Sequence, residues 1–276
     1  MASPAPPRIS SAAAASQAAS PAIRPWPAVG TLCRRELVRF VRQPNRVVGA
    51  LGQPLVFWLL FSEGLKRSGL DYGHFLPGTI VLILLFTAIF ATISIIEDRR
   101  EGFLQSVLVA PIPRWAMVLG KVFGGALLAL LQGLLFLLLG WLTVELTSNP
   151  LNLLAGVVMM AVIALALTGL GFLIAWRMES TQGFHAIMSV FLLPMWLLSG
   201  AFFPSGQSGW LGWIVALNPL TYGVAGLRRL LQYTQQDVLQ AVPPLSVCWL
   251  VTVLFAMTTL SLACFVARTR TSGDLL

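Results

Sequence analysis

The chain has 276 residues, of which 57% are hydrophobic and only 10% are charged. Soluble domains carry about 25% charged residues, so this chain lacks the polar side chains that a water-facing surface needs. Together with a mean hydropathy of +0.82, the composition excludes a soluble globular enzyme, a disordered protein and a secreted disulfide scaffold. It predicts a polytopic membrane protein.

Residues 1–30 are rich in Ala, Ser and Pro, and they contain no apolar stretch followed by a cleavage site. This composition predicts a disordered tail and no signal peptide.

Residues 31–46 change character, because apolar side chains from Leu32 to Val41 recur on one side of a helix while arginines crowd the other side. The pattern predicts a basic amphipathic helix that lies in the headgroup layer of a membrane. A solvated helix packed on a partner is the alternative. The predicted interfacial residues are Arg34, Arg35, Glu36, Arg39 and Arg42.

Six apolar stretches follow, and a helix needs about 20 such residues to cross a bilayer. Gln53 and Pro54 interrupt the first stretch, and Pro194 predicts a kink in the fifth. The sequence therefore predicts an all-α fold with six transmembrane helices. The predicted spans are residues 47–64, 75–96, 117–144, 151–176, 184–203 and 242–267.

The stretch before the last span, residues 204–241, is apolar but is divided by glycines and by Asn218 and Pro219. Its pieces are too short to cross a membrane. They predict a re-entrant or interfacial hairpin with its tryptophans at headgroup level, followed by an amphipathic helix over residues 220–233.

The distribution of basic residues predicts the orientation. If the N-terminus is cytoplasmic, 14 of the 18 Lys and Arg residues fall on inner segments and 4 fall on outer segments. Because Lys and Arg are enriched in cytoplasmic loops, both termini, including the tail of residues 269–276, are predicted to be cytoplasmic. The same bias explains the net charge of +8, so nucleic acid is not expected as a partner.

No catalytic set is recognisable. The two histidines lie far apart, and no HExxH, paired-Asp or GxSxG motif occurs. Gly120 and Lys121 resemble the end of a P-loop, but Val122 follows where Ser or Thr is needed. The sequence therefore predicts no catalytic residue, no metal site and no ATP site within this chain. The span interiors also hold almost no ionisable side chains, which argues against an ion-coupled carrier with a buried carboxylate.

The densest polar segment is residues 97–121, EDRREGFLQSVLVAPIPRWAMVLGK. Glu97 and Glu101 are one helical turn apart and share a face. Gly102 permits a bend, after which a short amphipathic helix ends near Pro111. A plain solvated loop is one interpretation. The other is a surface helix that docks into a groove of a soluble partner.

This segment resembles the hallmark of ABC-2-type transporter permeases, in which an acidic pair, Glu-Gly, an apolar helix, Ala-Pro and a basic residue precede Gly-Lys. The matching residues are Glu97, Asp98, Glu101, Gly102, Leu104, Ala110, Pro111, Arg114, Gly120 and Lys121. Two further segments are similar to the family, Arg35 to Leu37 and Asn218 to Tyr222 with the following Leu227 and Arg228, although Ala225 stands where the family often has Asp. The likeness covers residues 30–268.

The resemblance implies a permease that pairs as a homodimer in the lipid of the cytoplasmic membrane and docks a separate ATP-binding subunit. ATP and Mg would lie on that subunit, so no cofactor is expected in this chain. The implied coupling residues are Glu97, Asp98, Glu101, Gly102, Leu104, Gln105, Ser106, Leu108 and Pro111. The implied outer re-entrant gate consists of Trp210, Trp213, Asn218, Pro219, Tyr222 and Arg228.

The implied function is export of an amphiphile, such as a drug or a lipid-linked glycan. Three alternatives stay open: an ATP-independent carrier or scramblase, a membrane-embedded enzyme, and a non-transporting anchor for a soluble protein. Dependence of efflux on ATP separates the first from an ABC exporter.

Overall fold

The computed structural model describes residues 25–64, 72–143, 149–201, 209–231 and 242–269, and 92% of them are helical with no strand among them. The predicted all-α fold is therefore confirmed. The helices are α1 (Pro25–Val41), α2 (Pro44–Gly64), α3 (Tyr72–Arg100), α4 (Phe103–Val109), α5 (Arg114–Thr143), α6 (Pro150–Arg177), α7 (Thr181–Trp196), α8 (Trp210–Leu217), α9 (Pro219–Leu231) and α10 (Leu245–Thr269).

Five helices in the described ranges are long and apolar enough to cross a membrane: α3, α5, α6, α7 with its continuation, and α10. The bent pair α8 and α9 makes a sixth candidate if it counts as one span. The chain is thus a polytopic membrane protein with five or six candidate spans. Three predicted spans fall within α3, α5 and α6 or end one residue beyond them, the described part of the fifth falls within α7 and its continuation, and α10 covers most of the last.

The first predicted span, residues 47–64, forms α2, but its apolar part, residues 47–60, is shorter than the roughly 20 residues that a crossing needs. The path of the chain nevertheless favours a crossing. Helix α1 contacts Asp98 at the end of α3, and α2 packs along α3 before Tyr72 begins it. Helix α2 therefore carries the chain along α3, from the end that holds Asp98 to the end that begins at Tyr72.

Helix α3 occupies the centre of the bundle and packs on α2, α5, α6 and α7. Its middle is apolar on every side, as expected for a helix surrounded by others, and Ile80 to Leu85 are at most 1% exposed. The hydroxyl of Thr87 donates to Oε1 of Gln132 on α5, so these two buried polar groups satisfy each other between the helices.

The predicted boundaries of the N-terminal helix are wrong at both ends. Helix α1 begins at Pro25, inside the predicted tail, because proline suits the first position of a helix and the ring of Trp26 packs edge-on against Trp115, 5.7 Å between centroids. It ends at Val41 because Pro44 disfavours helix in the residue before it. Residues 1–24 lie outside the described residues.

The predicted apolar face of α1 is also shifted. The buried stripe consists of Val29, Leu32, Glu36 and Phe40, whereas Val41 is 70% exposed. This stripe packs against α5, so α1 is part of the bundle as well as a surface helix.

Helix α3 extends past the predicted end of its span and includes residues 97–100, which the sequence analysis placed in a loop. The reason is that Arg99 and Arg100 bind backbone carbonyl groups at and just after the C-terminal end of α6. Arg99 donates to the carbonyl oxygens of Trp176 and Met178, the latter at 3.1 Å, and Arg100 Nε donates to Glu179 O at 3.1 Å. Only Glu101 and Gly102 remain as a turn before α4.

The break in the fifth predicted span lies at Gly200, whereas the sequence predicted a kink at Pro194. Helix α7 includes Pro194 and continues as a π-helical turn, Leu197–Ala201, in which Gly200 has φ 81°. Proline has no backbone N–H to donate, so the regular α-helical hydrogen bonding is interrupted at Pro194. The chain continues as a wider π-helical turn. The helix then breaks at Gly200, because glycine adopts the left-handed conformation without strain.

In the described part of the stretch before the last span, α8 and α9 meet at a bend of 76°, which fits either a broken span or a re-entrant loop. Asn218 forms the corner, where its Nδ2 donates to Met195 O and its Oδ1 accepts from Leu220 N at 3.0 Å. Helix α9 covers the predicted amphipathic helix as far as residue 231, and it is buried on most sides. Residues 204–208 and 232–241 of the predicted hairpin, and residues 202–203 of the predicted fifth span, lie outside the described residues.

Candidate functional site

Charged side chains from three helices and one turn converge at the end of the bundle where α3 gives way to α4. Helix α1 contributes three of them, the end of α3 and the following turn contribute three, and α5 contributes one. We call this set the charged cluster; it consists of Arg35, Glu36, Arg39, Glu97, Asp98, Glu101 and Lys121.

Asp98 is the centre of the charged cluster and is completely buried. Its carboxylate accepts two hydrogen bonds from Arg35, at 2.8 and 3.0 Å, and one each from Arg39 Nη1 and Lys121 Nζ. A buried carboxylate is tolerated only when it is paired and hydrogen-bonded. Asp98 therefore holds cations from α1 and α5 at one point of α3.

Lys121 and Glu36 form a second buried contact, 3.0 Å between Nζ and Oε1, with each residue 4% exposed. They meet because α1 approaches α5 at Gly120 and Gly124, where a Cβ atom would lie 2.7 Å from Leu32 Cβ and 2.9 Å from Glu36 Cβ. Glycines spaced by four residues allow this close helix packing.

The arginines of α1 also reach the start of α4. Arg39 Nη2 donates to Glu97 Oε2 at 2.9 Å and to Glu101 Oε1 at 3.2 Å. The guanidinium of Arg35 lies 3.7 Å from the ring centroid of Phe103, a cation–π contact. Burial opposes the charge of Arg35, but its hydrogen bond to Asp98 and the nearby negative charges outweigh burial and raise the pKa of Arg35 above its usual value.

Helix α4 lies on the surface and is oriented by the residues before it. Gly102 precedes it with φ 75°, a conformation that favours glycine, and this turns the chain out of α3. Leu104 is buried and fixes α4 to the bundle, while Val109 is 77% exposed. The outward surface, which we call the α4 face, consists of Glu101, Gln105, Ser106, Val109 and Pro111.

The predicted coupling residues therefore divide into two groups. Asp98 and Leu104 are buried and cannot touch a partner, so they position α4, whereas most of the others lie on or beside the α4 face. The predicted interfacial arginines divide as well, because Arg35 and Arg39 join the charged cluster while Arg34 and Arg42 stay exposed. The sequence analysis missed that these two sets of residues pair with each other.

The predicted gate residues form a separate group on α8 and α9. Trp210 and Trp213 are each 75% exposed, as a headgroup position would require. The hydroxyl of Tyr222 donates to Ala216 O at 2.9 Å, and buried Arg228 donates from Nη2 to Gly200 O at 3.1 Å. Pro219 begins α9. The Tyr222 bond joins α9 to α8, and the Arg228 bond joins α9 to the π-helical turn after α7.

Across the part of the chain that the structure describes, no three His, Cys, Asp or Glu side chains come together as a metal site would require. The expectation that the chain has no metal or cofactor of its own stays a prediction.

The described residues form a helical bundle with several candidate spans and a short surface helix held by buried charge. The sequence profile of the ABC-2 type transporter family matches residues 27–231, and the chain belongs to this family. It is the membrane subunit of a transporter. Members of this family generally work with a separate ATP-binding subunit.

Similar proteins carry transport names. The chain is 26% identical over 214 residues to a putative transport permease ycf38 of Cyanophora paradoxa, covering 74% of this chain and 73% of that relative. It is 26% identical to the ycf38 protein of Porphyra purpurea, covering 79% and 78%. It is 29% identical over 159 residues to the probable multidrug ABC transporter permease YbhR of Escherichia coli K12, covering 56% of this chain and 43% of that protein.

Proposed function

We propose that this chain is the permease of an ABC exporter and that a separate ATP-binding subunit drives it by docking on the α4 face. The observation that carries the proposal is the attachment of α4. A short exposed helix is tied by Arg35 and Arg39 to the buried carboxylate at the end of the central helix.

Force applied to α4 has a direct route into the bundle. A displacement of α4 acts on Arg35 through Phe103 and on Arg39 through Glu101. Both arginines share Asp98 on α3 with Lys121 on α5. Because α3 packs on α2, α5, α6 and α7, tilting of its end moves helices throughout the bundle. ATP and Mg would be held by the partner, and the ATP-driven closure of two copies of that partner would supply this force.

The cargo proposed is an amphiphile, a drug or a lipid-linked glycan. Spans with scarce charge suit a substrate that is largely apolar, and the relative in Escherichia coli is named as a probable multidrug permease. The bend at Asn218 would be the outer gate, and two copies of the permease would form the path between them.

The experiment that tests this function separates ATP hydrolysis from transport. The permease and its ATP-binding subunit are reconstituted in vesicles, and the amphiphile that most stimulates ATP hydrolysis is used as cargo. We expect transport to require ATP, whereas transport without ATP would indicate a carrier or scramblase. Glu101→Lys, which places a cation beside Arg39, and Gly102→Pro, which cannot adopt φ 75°, should reduce cargo moved per ATP.

The expected loss is about 5- to 150-fold, the range typical of coupling between two sites. The matched control is Glu179→Lys, which reverses an exposed carboxylate beyond the end of α6 that does not belong to the α4 face. Transport per ATP at the wild-type level in both α4 variants would contradict the coupling role, and an equal loss in the control would assign the effect to surface charge.

The proposed orientation, with both termini in the cytoplasm of a multi-pass protein of the cytoplasmic membrane, predicts which positions an impermeant thiol reagent reaches. In a background with Cys33, Cys248 and Cys264 replaced, Asn149→Cys should be labelled in intact cells and Gly30→Cys only after permeabilisation. Both positions are exposed, and a Cβ at Gly30 meets open space. Loss of the Asn149 cap costs about 1 kcal/mol, which the fold tolerates. The reverse labelling pattern would overturn the orientation.

A further inference from the structure

A groove of about 780 Å³ runs along the exposed side of α1 and reaches the turn before α4. We call it the arginine groove, because guanidinium groups from two successive turns of α1 and from the residue after its C-terminal end line it. Its charged and amide side chains are Arg34, Arg35, Arg39, Arg42, Gln43 and Glu101.

Two of the four arginines that line the groove have carboxylate partners, and two have none among the described residues. Arg35 and Arg39 are paired with the carboxylates of the charged cluster. Arg34 and Arg42 are exposed, and neither forms an ion pair with any residue that the structure describes. Four guanidinium groups thus face the single carboxylate of Glu101 along this groove. Arginine forks match the oxygens of a phosphate, so the groove suits a phosphate-bearing anion.

A second observation concerns Gln43 at the end of the groove. Its Oε1 atom is buried and accepts no hydrogen bond. A phosphodiester anion offers acceptors to the arginines but no donor to this oxygen. A ligand that satisfies both kinds of group carries a phosphate and also a hydroxyl.

The surroundings of the groove favour a lipid over a soluble anion. Val38 lines the groove and is 42% exposed, Val41 is 70% exposed, and Val48 on α2 is 68% exposed. Basic and apolar side chains interleaved on a helix that packs on a membrane bundle are typical of contact with anionic headgroups and the adjoining acyl chains. We propose that the arginine groove binds the headgroup of an anionic, hydroxyl-bearing phospholipid such as phosphatidylglycerol.

The site has a consequence for α4 that rests on the proposed function. A phosphate in the groove competes with Glu101 for Arg39 Nη2, which now lies 3.2 Å from Glu101 Oε1. Lipid binding therefore loosens one link between α1 and α4 and would tune the response of the permease to its ATP-binding subunit.

The test measures lipid binding by the full chain alone, so failure of the coupling proposal leaves it interpretable. The purified protein in a zwitterionic detergent is titrated with phosphatidylglycerol or phosphatidylcholine, and bound lipid is counted by native mass spectrometry. We expect preference for phosphatidylglycerol. Arg34→Gln with Arg42→Gln should weaken its binding roughly 30-fold, since each basic residue near an anionic lipid contributes about a fivefold factor.

The matched control is Arg177→Gln with Arg268→Gln, which removes the same charge from exposed positions outside the groove and should leave affinity within about twofold. Glu101→Gln should increase affinity about fivefold by removing the negative charge of the groove. This third variant keeps the proposal falsifiable if the double arginine variant fails to fold.

Three outcomes would overturn the proposal. An equal loss in the control variant would reduce the effect to general surface charge. Displacement of the lipid by glycerol phosphate at comparable concentration would assign the groove to a soluble anion, and displacement by equimolar ATP-binding subunit would assign it to that protein. Unchanged affinity in Glu101→Gln would show that the lipid does not bind in the groove.

Discussion

Replacing Asp98 by Asn is expected to lower the stability of the protein by about 3–5 kcal/mol, the range found when one partner of a buried ion pair is removed. The carboxylate is completely buried and accepts hydrogen bonds from Arg35, Arg39 and Lys121. An amide leaves three cations without their common counter-charge, and it turns one acceptor into a donor that faces them. The ends of α1, α3 and α5 should then separate.

The measurement is the melting temperature of the purified protein in detergent, followed by fluorescence-detected size exclusion. A loss of this size corresponds to a fall of roughly 10 °C for a chain of this length. Glu101→Gln is the matched control, because Glu101 belongs to the same cluster but its side chain is 59% exposed. An exposed ion pair contributes at most about 1 kcal/mol.

Equal falls in the two variants would contradict the central position of Asp98. Asp98→Glu refines the result, since it keeps the charge but adds a methylene to a packed site. We expect it to melt between Asp98→Asn and the wild type, because bidentate pairing with Arg35 depends on the position of the carboxylate as well as on its charge.

The spans were predictable because their signals are local. The predicted span of residues 151–176 differs from α6, Pro150–Arg177, by one residue at each end. Asn149 caps its first turn by accepting from Leu151 N, and Pro150 occupies the first helical position. A long apolar run with a capping residue before it specifies a helix whatever surrounds it.

The charged cluster was not predictable in the same way, because its pairs join residues far apart in the chain. Arg35 and Asp98 are 63 positions apart, and Lys121 and Glu36 are 85 apart. One local signal does exist. Glu36 stands four residues after Leu32 and four before Phe40, so it interrupts an apolar stripe at a position that must be buried. A carboxylate at such a position requires a cationic partner.

The α4 face lies between these cases. Gly102 and Pro111 predict where the short helix begins and ends, and it covers Phe103–Val109. The sequence does not determine which of its side chains point outward, because one apolar residue, Leu104, is buried and another, Val109, is exposed. Which of these side chains are buried depends on the direction in which the turn at the end of α3 places α4 relative to the bundle.

The second large effect is expected from Gly120→Ala combined with Gly124→Ala on α5. The added Cβ atoms would lie 2.7 Å from Leu32 Cβ and 2.9 Å from Glu36 Cβ, and carbonyl oxygens of α1 lie at 3.1 and 3.2 Å. Neither backbone can yield without moving α1 outward. Overpacking of this kind costs about 1–3 kcal/mol at each site, and the displacement also separates Glu36 from Lys121.

The readout is the alkylation rate of Cys33, which lies on α1 and whose carbonyl is one of these close neighbours of Gly124. Burial, with the charge of Glu36, raises the pKa of the Cys33 thiol. Displacement of α1 lowers that pKa towards its usual value and opens access, so the thiolate fraction and the alkylation rate at a given pH should both rise. Cys264→Ser removes the other partly exposed thiol, and Cys248 is fully buried.

Gly30→Ala is the control that separates displacement from a general effect of glycine substitution. Gly30 lies on α1 itself, where an added Cβ meets open space, and alanine in a helix is more favourable than glycine by about 0.5–1 kcal/mol. This variant should therefore melt slightly higher and leave Cys33 as slow as in the wild type. If α1 were only a surface helix resting in the headgroup layer, the α5 variant would alkylate no faster than this control. Faster alkylation in the α5 variant alone requires that α1 packs tightly on the bundle at Gly120 and Gly124 of α5. This close packing is the condition for the arginines of α1 to hold α4.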